Sequence, residues 1–319
     1  MGIKEAIAQL IDRRDLTERE MVDVMNEIMT GQATDAQIGA FLVSLRLKGE
    51  TVDEITGGAR VMREKAQNIS HPHESVLDTC GTGGDASGTF NISTTAAFIA
   101  AGAGVAVAKH GNRSVSSKAG SADLFKALGV DIEAEVDKVE ECLEKCGIAF
   151  LFAPRMHAAM KHAIGPRREI GVRTIFNLLG PLTNPAGAVN QLIGVYDPKL
   201  TEPIAKVMQR LGSRHVMVVH GSDGLDEITL TGYSRISELK DDKVTNWTLD
   251  PTELGFSLCK PEDLMGGDPQ ANAVITLAIL KGEDKGPKRQ IAVLNAAAAI
   301  VTSGKADNMQ GGVKLAEDS

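Results

Sequence analysis

The chain has 319 residues, 43% hydrophobic and 24% charged, and its 34 basic and 42 acidic side chains leave a net charge of −8. That length is ample for a large core and suggests two domains, or one with an elaboration. The acidic balance argues against nonspecific duplex binding, which draws on clustered Lys and Arg. No run of about 18 apolar residues is present to span a membrane. The start, MGIKEAIAQLIDRRD, carries charges throughout and lacks the apolar core and cleavage site of a secretory signal, so a cytoplasmic location is expected.

The first 66 residues read as helices only. Thr17 with Glu20, Thr34 with Gln37 and Thr51 with Glu54 are capping boxes that mark helix starts. Gly31 and Gly49 fall just before the second and third, where a helix terminus favours a left-handed residue. Met21, Met25, Ile28 and Met29 recur at helical spacing, as do Ile38, Phe41, Leu42 and Leu45, then Ile55, Ala59 and Met62. Helices this short and amphipathic must pack on each other or on a partner subunit.

From Ser75 short apolar runs alternate with helical stretches. Strands are predicted at Val76–Cys80, Val105–Ala108, Ile148–Phe152, Leu192–Tyr196 and His215–Val219. Helices are predicted at Thr94–Ala101, Ala122–Leu128, Val136–Cys146 and Thr201–Leu211. The alternation implies an α/β fold with a mainly parallel central sheet flanked by helices. Arg235–Leu239 and Lys243–Leu249 alternate across a polar turn at Asp241–Asp242 and read as antiparallel strands. Ala271–Leu280 and Ile291–Val301 are late helices, the second alanine-rich enough to pack closely in a core. Four cysteines, Cys80, Cys142, Cys146 and Cys259, are too few and too scattered for a disulfide framework. Cys142 and Cys146 share a helix face without a metal-spaced partner, and are expected to be buried structural thiols.

The most informative stretch is Asp78-Thr-Cys-Gly-Thr-Gly-Gly-Asp-Ala-Ser-Gly-Thr-Phe-Asn-Ile-Ser-Thr-Thr95. A strand runs into Gly81, Gly83 and Gly84, and a helix begins near Ser93. Glycines let backbone N–H groups converge, and the helix N-terminus adds partial positive charge, which makes a phosphate cradle. A Walker loop is absent. Gly81 to Ala86 fits G-x-G-x-x-A, but no acidic residue lies between Asp85 and Asp123, so nicotinamide binding is disfavoured. Asp85 beside a phosphate implies a cation or a ribose hydroxyl next to it. A second loop, Lys109-His-Gly-Asn-Arg-Ser-Val-Ser-Ser-Lys-Ala-Gly-Ser-Ala-Asp123, gathers cations and hydroxyls at the end of another strand, where open parallel sheets bind ligands. In the stretch from Gly165 to Pro185, Arg167, Arg168 and Arg173 flank an apolar stripe, and an Arg in such a pocket suits a bidentate grip on a carboxylate. Asp226-Glu227, after the strand at His215–Val219, suits a magnesium that also holds a diphosphate.

Taken together these strings resemble the anthranilate phosphoribosyltransferase family. Its Gly-Thr-Gly-Gly-Asp is at 81–85, Asn-Ile-Ser-Thr at 91–94 and Lys-His-Gly-Asn-Arg at 109–113. Its Ser-x-Lys-x-Gly-Ser-Ala-Asp is at 116–123, its Arg-Thr-x-Phe-Asn-x-Leu-Gly-Pro-Leu-Thr-Asn-Pro at 173–185 and its Gly-Leu-Asp-Glu at 224–227. The tail at Leu264–Asn272 and the run from Leu294 also match, so the resemblance covers essentially the whole chain.

The resemblance implies a fold of the nucleoside phosphorylase/phosphoribosyltransferase type. Residues 1–68, completed by about 166–184, would form a helical domain; residues 69–165 and 185–319 would form the α/β domain. It implies transfer of the phosphoribosyl group from 5-phosphoribosyl 1-pyrophosphate (PRPP) to the amine of anthranilate, in L-tryptophan biosynthesis. Gly81, Gly84, Asp85, Thr89, Asn91, Ile92, Ser93 and Thr94 would hold PRPP. Lys109, His110, Gly111, Asn112, Arg113, Ser114, Val115, Ser116, Ser117 and Ser121 would close over it. Gly81, Asn112 and Arg167 would meet anthranilate, with His110 close by, and Ser93, Asp226 and Glu227 would bind Mg2+, two ions per subunit. No acid or base is assigned; Lys109 and His110 stand near the chemistry. A homodimer through the helical domain is implied, with no nucleic-acid or membrane partner. Ala86-Ser87-Gly88 departs from the family, which often has glycine directly after the aspartate. The alternatives sharing this architecture are a pyrimidine nucleoside phosphorylase and a non-enzymatic nucleic-acid-binding relative.

Overall fold

The computed structural model describes residues 1–85, 87–113 and 118–319. Four helices come first: α1 (Ile3–Ile11), α2 (Glu18–Met29), α3 (Asp35–Lys48) and α4 (Val52–Glu64). All three predicted capping boxes form, and Gly31 and Gly49 take φ of 75° and 93°. Glu54 does more than cap. It is fully buried, accepts the Leu16 N–H at 2.9 Å and takes the Lys48 ammonium at 2.9 Å, so one carboxylate ties three helix ends together.

The remainder alternates as expected: β1 (Leu77–Gly81), α5 (Ile92–Gly102), β2 (Val107–Gly111), α6 (Ser121–Ala127), α7 (Val136–Cys146) and β3 (Ile148–Phe152). Short helices α8 (Ala153–Met156), α9 (Ile164–Ile170) and α10 (Ile175–Leu179) lead to β4 (Asn190–Gly194). Next come α11 (Thr201–Arg210), β5 (His215–Gly221), β6 (Ser234–Lys240), β7 (Lys243–Leu249), α12 (Pro269–Leu280), α13 (Pro287–Thr302) and α14 (Met309–Asp318). Among the described residues the strands form one sheet in the order β3-β2-β1-β4-β5-β6-β7. It is parallel from β3 to β5 and antiparallel from β5 to β7.

Strand alternation sends Ile193, Val195, Val216 and Val218 to one face and Leu192, Met217, Val219 and Ile236 to the other. The first face packs with α11 and is continuous with the apolar faces of α1–α4 and with Ile175, Phe176, Leu178 and Leu179 of α10. The second is covered by α5 and α13, whose alanines allow close helix contact.

Three expectations need correction. First, β2 runs on through Lys109 and His110, which the sequence reading placed in a loop. Their polarity masks strand residues whose partners lie inside the protein. Second, α14 was not anticipated, because Gly311 and Gly312 break its helical pattern; Gly312 is there because a methyl group would meet the Ala297 carbonyl at 2.6 Å. Third, Cys142 and Cys146 are exposed, and of the four cysteines only Cys80 is buried. The buried stripe of α7 is only Val139 and Leu143, because this helix covers an edge strand.

Candidate active site at the carboxyl ends of the parallel strands

The chain leaves β1 toward a helix that packs on one side of the sheet, and β1 lies between β2 and β4, which come later in the chain. This is the place where open α/β sheets form a ligand crevice. The glycine-rich loop leaves β1 here, with Gly83, Gly84 and Gly88 at φ of 67°, 77° and 69°. Gly81 is required for another reason: a methyl group there would come within 2.5 Å of Asp226 Oδ2. Gly194 at the end of β4 likewise leaves room for the Asp226 backbone.

Asp226 accepts the Gly83 N–H at 2.8 Å, and Glu227 accepts the Ser93 N–H at 3.1 Å at the start of α5. Burial, then the nearby Asp85 charge, raises the Asp226 carboxyl to about 7, against the Gly83 N–H, which favours the anion. Burial, then Asp226, raises Glu227 to about 8, with Lys109 opposing. Three carboxylates, Asp85, Asp226 and Glu227, thus converge on a phosphate-cradling loop and repel one another. A divalent cation would relieve that repulsion, so these residues fit one. Among the described residues no group of three His, Cys, Asp or Glu side chains is arranged to hold a metal alone. A magnesium here would complete its shell with phosphate oxygens and water, its usual habit.

Lys109 is 2% exposed, its ammonium bonded to the Thr79 carbonyl and 3.4 Å from Thr79 Oγ1. It is a buried cation beneath the loop, near Asp78 and Glu227. Asp78, also buried, accepts the His110 N–H at 3.0 Å and the Asn184 amide at 2.8 Å.

Behind β2, His110 Nδ1 lies 3.2 Å from the Gly180 carbonyl and His110 Nε2 lies 3.2 Å from His157 Nε2. Burial lowers His110 to about 3 and His157 to about 4, so both rings are neutral at neutral pH. His110 must donate through Nδ1 to a carbonyl that can only accept. Its Nε2 is then the acceptor, and His157 donates to it. His157 was not anticipated; nothing near it in the sequence signals a partner 47 residues away.

Arg167 on α9 lies with its guanidinium carbon 5.0 Å from the Phe176 ring centroid, and burial lowers its pKa. Among the described residues it has no carboxylate partner, so it is a half-buried cation with anion-binding capacity to spare. Arg173 stacks on Tyr196 at 4.2 Å and crowds the glycine-rich loop, where a methyl group on Gly84 would meet its Nη2 at 2.6 Å.

Asn91 joins three segments. Its amide donates to the Ala119 carbonyl at 3.1 Å in the second loop, and its Oδ1 accepts from Asn272 at 2.9 Å. Asn272 in turn accepts the Gly267 N–H at 2.8 Å, which gives the Leu264–Asn272 string a structural task the sequence did not reveal. Thr89 bridges to Met265, and Ser121 Oγ donates to the Asn112 carbonyl at 3.3 Å, closing the second loop beside Gly111. Ile92 and Thr94 turn their side chains into the core. Arg113 points elsewhere, 3.5 Å from Glu133 and over the Phe152 ring. Ser114, Val115, Ser116, Ser117 and Ala86 lie outside the described residues.

Comparison with known proteins agrees with this geometry. Residues 4–66 match the helical bundle domain of the glycosyl transferase family, and residues 73–319 match its a/b domain. An anthranilate phosphoribosyltransferase of Moorella thermoacetica is 56% identical over 99% of this chain and 93% of its own length. The crystal structure of the Thermus thermophilus anthranilate phosphoribosyltransferase superposes with a TM-score of 0.92 at 44% identity, covering 98% of this chain and 93% of that one. The Saccharomyces cerevisiae anthranilate phosphoribosyltransferase in complex with PRPP and Mg superposes with a TM-score of 0.90 at 27% identity, covering 99% and 92%.

Proposed function

This chain belongs to the anthranilate phosphoribosyltransferase family, a phosphoribosyltransferase of L-tryptophan biosynthesis, and we propose that its reaction runs in the crevice at the carboxyl ends of β1, β2, β4 and β5. The observation that carries the assignment is the convergence of three carboxylates, Asp85 in the glycine-rich loop, Asp226 on the Gly83 N–H and Glu227 on the Ser93 N–H at the start of α5. The amine of anthranilate displaces pyrophosphate from the anomeric carbon of PRPP, through a transition state with oxocarbenium character. An aniline nitrogen has its lone pair free, so the site needs no strong base.

The loop from Gly81 to Asp85, Asn91 and the N-terminus of α5 hold PRPP; Lys109 supplies positive charge from beneath, and the second loop, from Lys109 to Ser121, covers the ligand. Arg167 grips the anthranilate carboxylate near Asn112 and Gly81, where a charge-assisted bidentate pair orients the amine. The neutral His110–His157 pair sets the wall behind β2 without adding a charge that would compete for that carboxylate. Asp226 and Glu227, with Ser93 beside them, would hold Mg2+, two ions per subunit; bound there, the metal neutralises charge on the pyrophosphate.

Residues 1–68, completed by about 166–184, form one domain and the rest another, with the crevice between them. Two copies join through the helical domain. Support for that joining comes from Ile11 and Leu47 on α1 and α3, 67% and 71% exposed, with Val43 beside them. A cytoplasmic location is consistent with helices none of which is long and apolar enough to cross a membrane among the described residues.

The test is anthranilate fluorescence with purified protein. Consumption is expected only when PRPP and Mg2+ are both supplied. Phosphorolysis of pyrimidine nucleosides with no loss of anthranilate would overturn the proposal in favour of the nucleoside phosphorylase alternative.

A further inference from the structure

The two exposed cysteines of α7 lie away from the crevice and take no part in the mechanism. Cys142 and Cys146 are one helical turn apart on one face, where side chains four residues apart are neighbours. Cys142 Sγ donates to the Ile148 carbonyl at 3.2 Å, and burial, then the neighbouring Cys146, raises the Cys142 thiol above its ordinary pKa. Cys146 is the last residue of the helix, followed by Gly147 at φ 71°, so the second thiol sits where the backbone can adjust. The other two cysteines are single: Cys80 is buried against Pro181, and Cys259 is only partly exposed.

We propose that Cys142 and Cys146 form a two-thiol capture site for trivalent arsenicals and similar soft ions that accept two sulfur ligands. Zinc is a poor fit, because a tetrahedral ion wants four ligands. Among the described residues no third His, Cys, Asp or Glu completes a metal group. The adjacent Glu141 is already held by Lys138 at 2.8 Å and Lys145 at 2.7 Å. A soft acceptor satisfied by two thiolates matches what the helix presents.

The reaction with an arsonous acid, R–As(OH)2, needs no oxidant. Two As–O bonds break and two As–S bonds form, and each thiol proton leaves with a hydroxide as water. Arsenic keeps its oxidation state, and both sulfurs remain reduced.

Phenylarsine oxide, which hydrates to the arsonous acid, is the probe, and native mass spectrometry of the full-length protein is the readout. One arsenical per chain is expected, surviving excess glutathione and removed by a dithiol such as dimercaptopropanol. Cys142→Ser and Cys146→Ser should each lose the glutathione-resistant adduct while retaining wild-type circular dichroism and turnover. Cys259→Ser should keep it. A resistant adduct that persists in either α7 variant, or none in the wild-type protein, would overturn the proposal.

Discussion

Replacing Gly81 by alanine sets a methyl group against the Asp226 carboxylate. The added carbon would stand 2.5 Å from Oδ2, and ordinary contact begins at 3.4 Å, so the carboxylate must retreat by about 0.9 Å. Its backbone cannot follow, because the Asp226 carbonyl already lies against Gly194 of β4. The side chain must therefore swing, which breaks the 2.8 Å bond from the Gly83 N–H and loosens the glycine-rich loop. Overpacking of this kind costs about 1–3 kcal/mol of stability. A displacement near 1 Å in a positioned group costs on the order of 100-fold in rate. In the fluorescence assay Gly81→Ala should lose on the order of 100-fold in kcat and need more Mg2+ for half-maximal rate, with its far-UV circular dichroism intact. A folded variant with wild-type kcat and an unchanged Mg2+ dependence would show that the position of this carboxylate does not matter to the reaction.

Arg167→Ala should raise the KM for anthranilate far more than that for PRPP, by a loss on the order of 2–4 kcal/mol; equal effects on both would remove Arg167 from the anthranilate pocket. Asp226→Asn with Glu227→Gln should nearly abolish turnover, with only partial rescue by added Mg2+, and near-normal turnover at low Mg2+ would refute the metal assignment. The neutral histidine pair predicts an acid-side stability loss. Both folded pKa values, about 3 and about 4, lie below the ordinary 6.5, so their contribution is complete above pH 6.5 and falls as pH drops toward 4. The slope approaches about 1.4 kcal/mol per pH unit for each ring. Urea denaturation should show a shallower decline from pH 6.5 to 4.5 in His110→Asn/His157→Gln than in wild type, and identical slopes would refute the account.

What the sequence made legible was local. Capping boxes at Thr17, Thr34 and Thr51, the glycines after β1 and the Asp226-Glu227 pair all announce themselves within a few residues. What it hid depends on tertiary partners. Lys109 and His110 look like a charged loop until Thr79 and Asp78 of β1, and Gly180 just after α10, are seen to receive them inside the protein. His157 and Asn272 acquire their tasks only from His110 and Asn91, 47 and 181 residues away. Cys142 and Cys146 mislead in the opposite direction, since residue type suggested burial. α7 has only one narrow stripe to bury against an edge strand, and the thiols fall outside it.

The position of β4 in the sheet has a consequence for synthesis on the ribosome. β1 ends at residue 81, but its second hydrogen-bonded neighbour begins only at residue 190. Throughout that interval the emerging chain carries an interior strand with at least one naked edge, and with two until β2 is made at residues 107–111, the kind of template on which other chains pair and aggregate. The polypeptide must therefore be shielded, by a chaperone or by the helices already made, until β4 arrives. Fragments released before residue 190 are the ones that should fall out of solution.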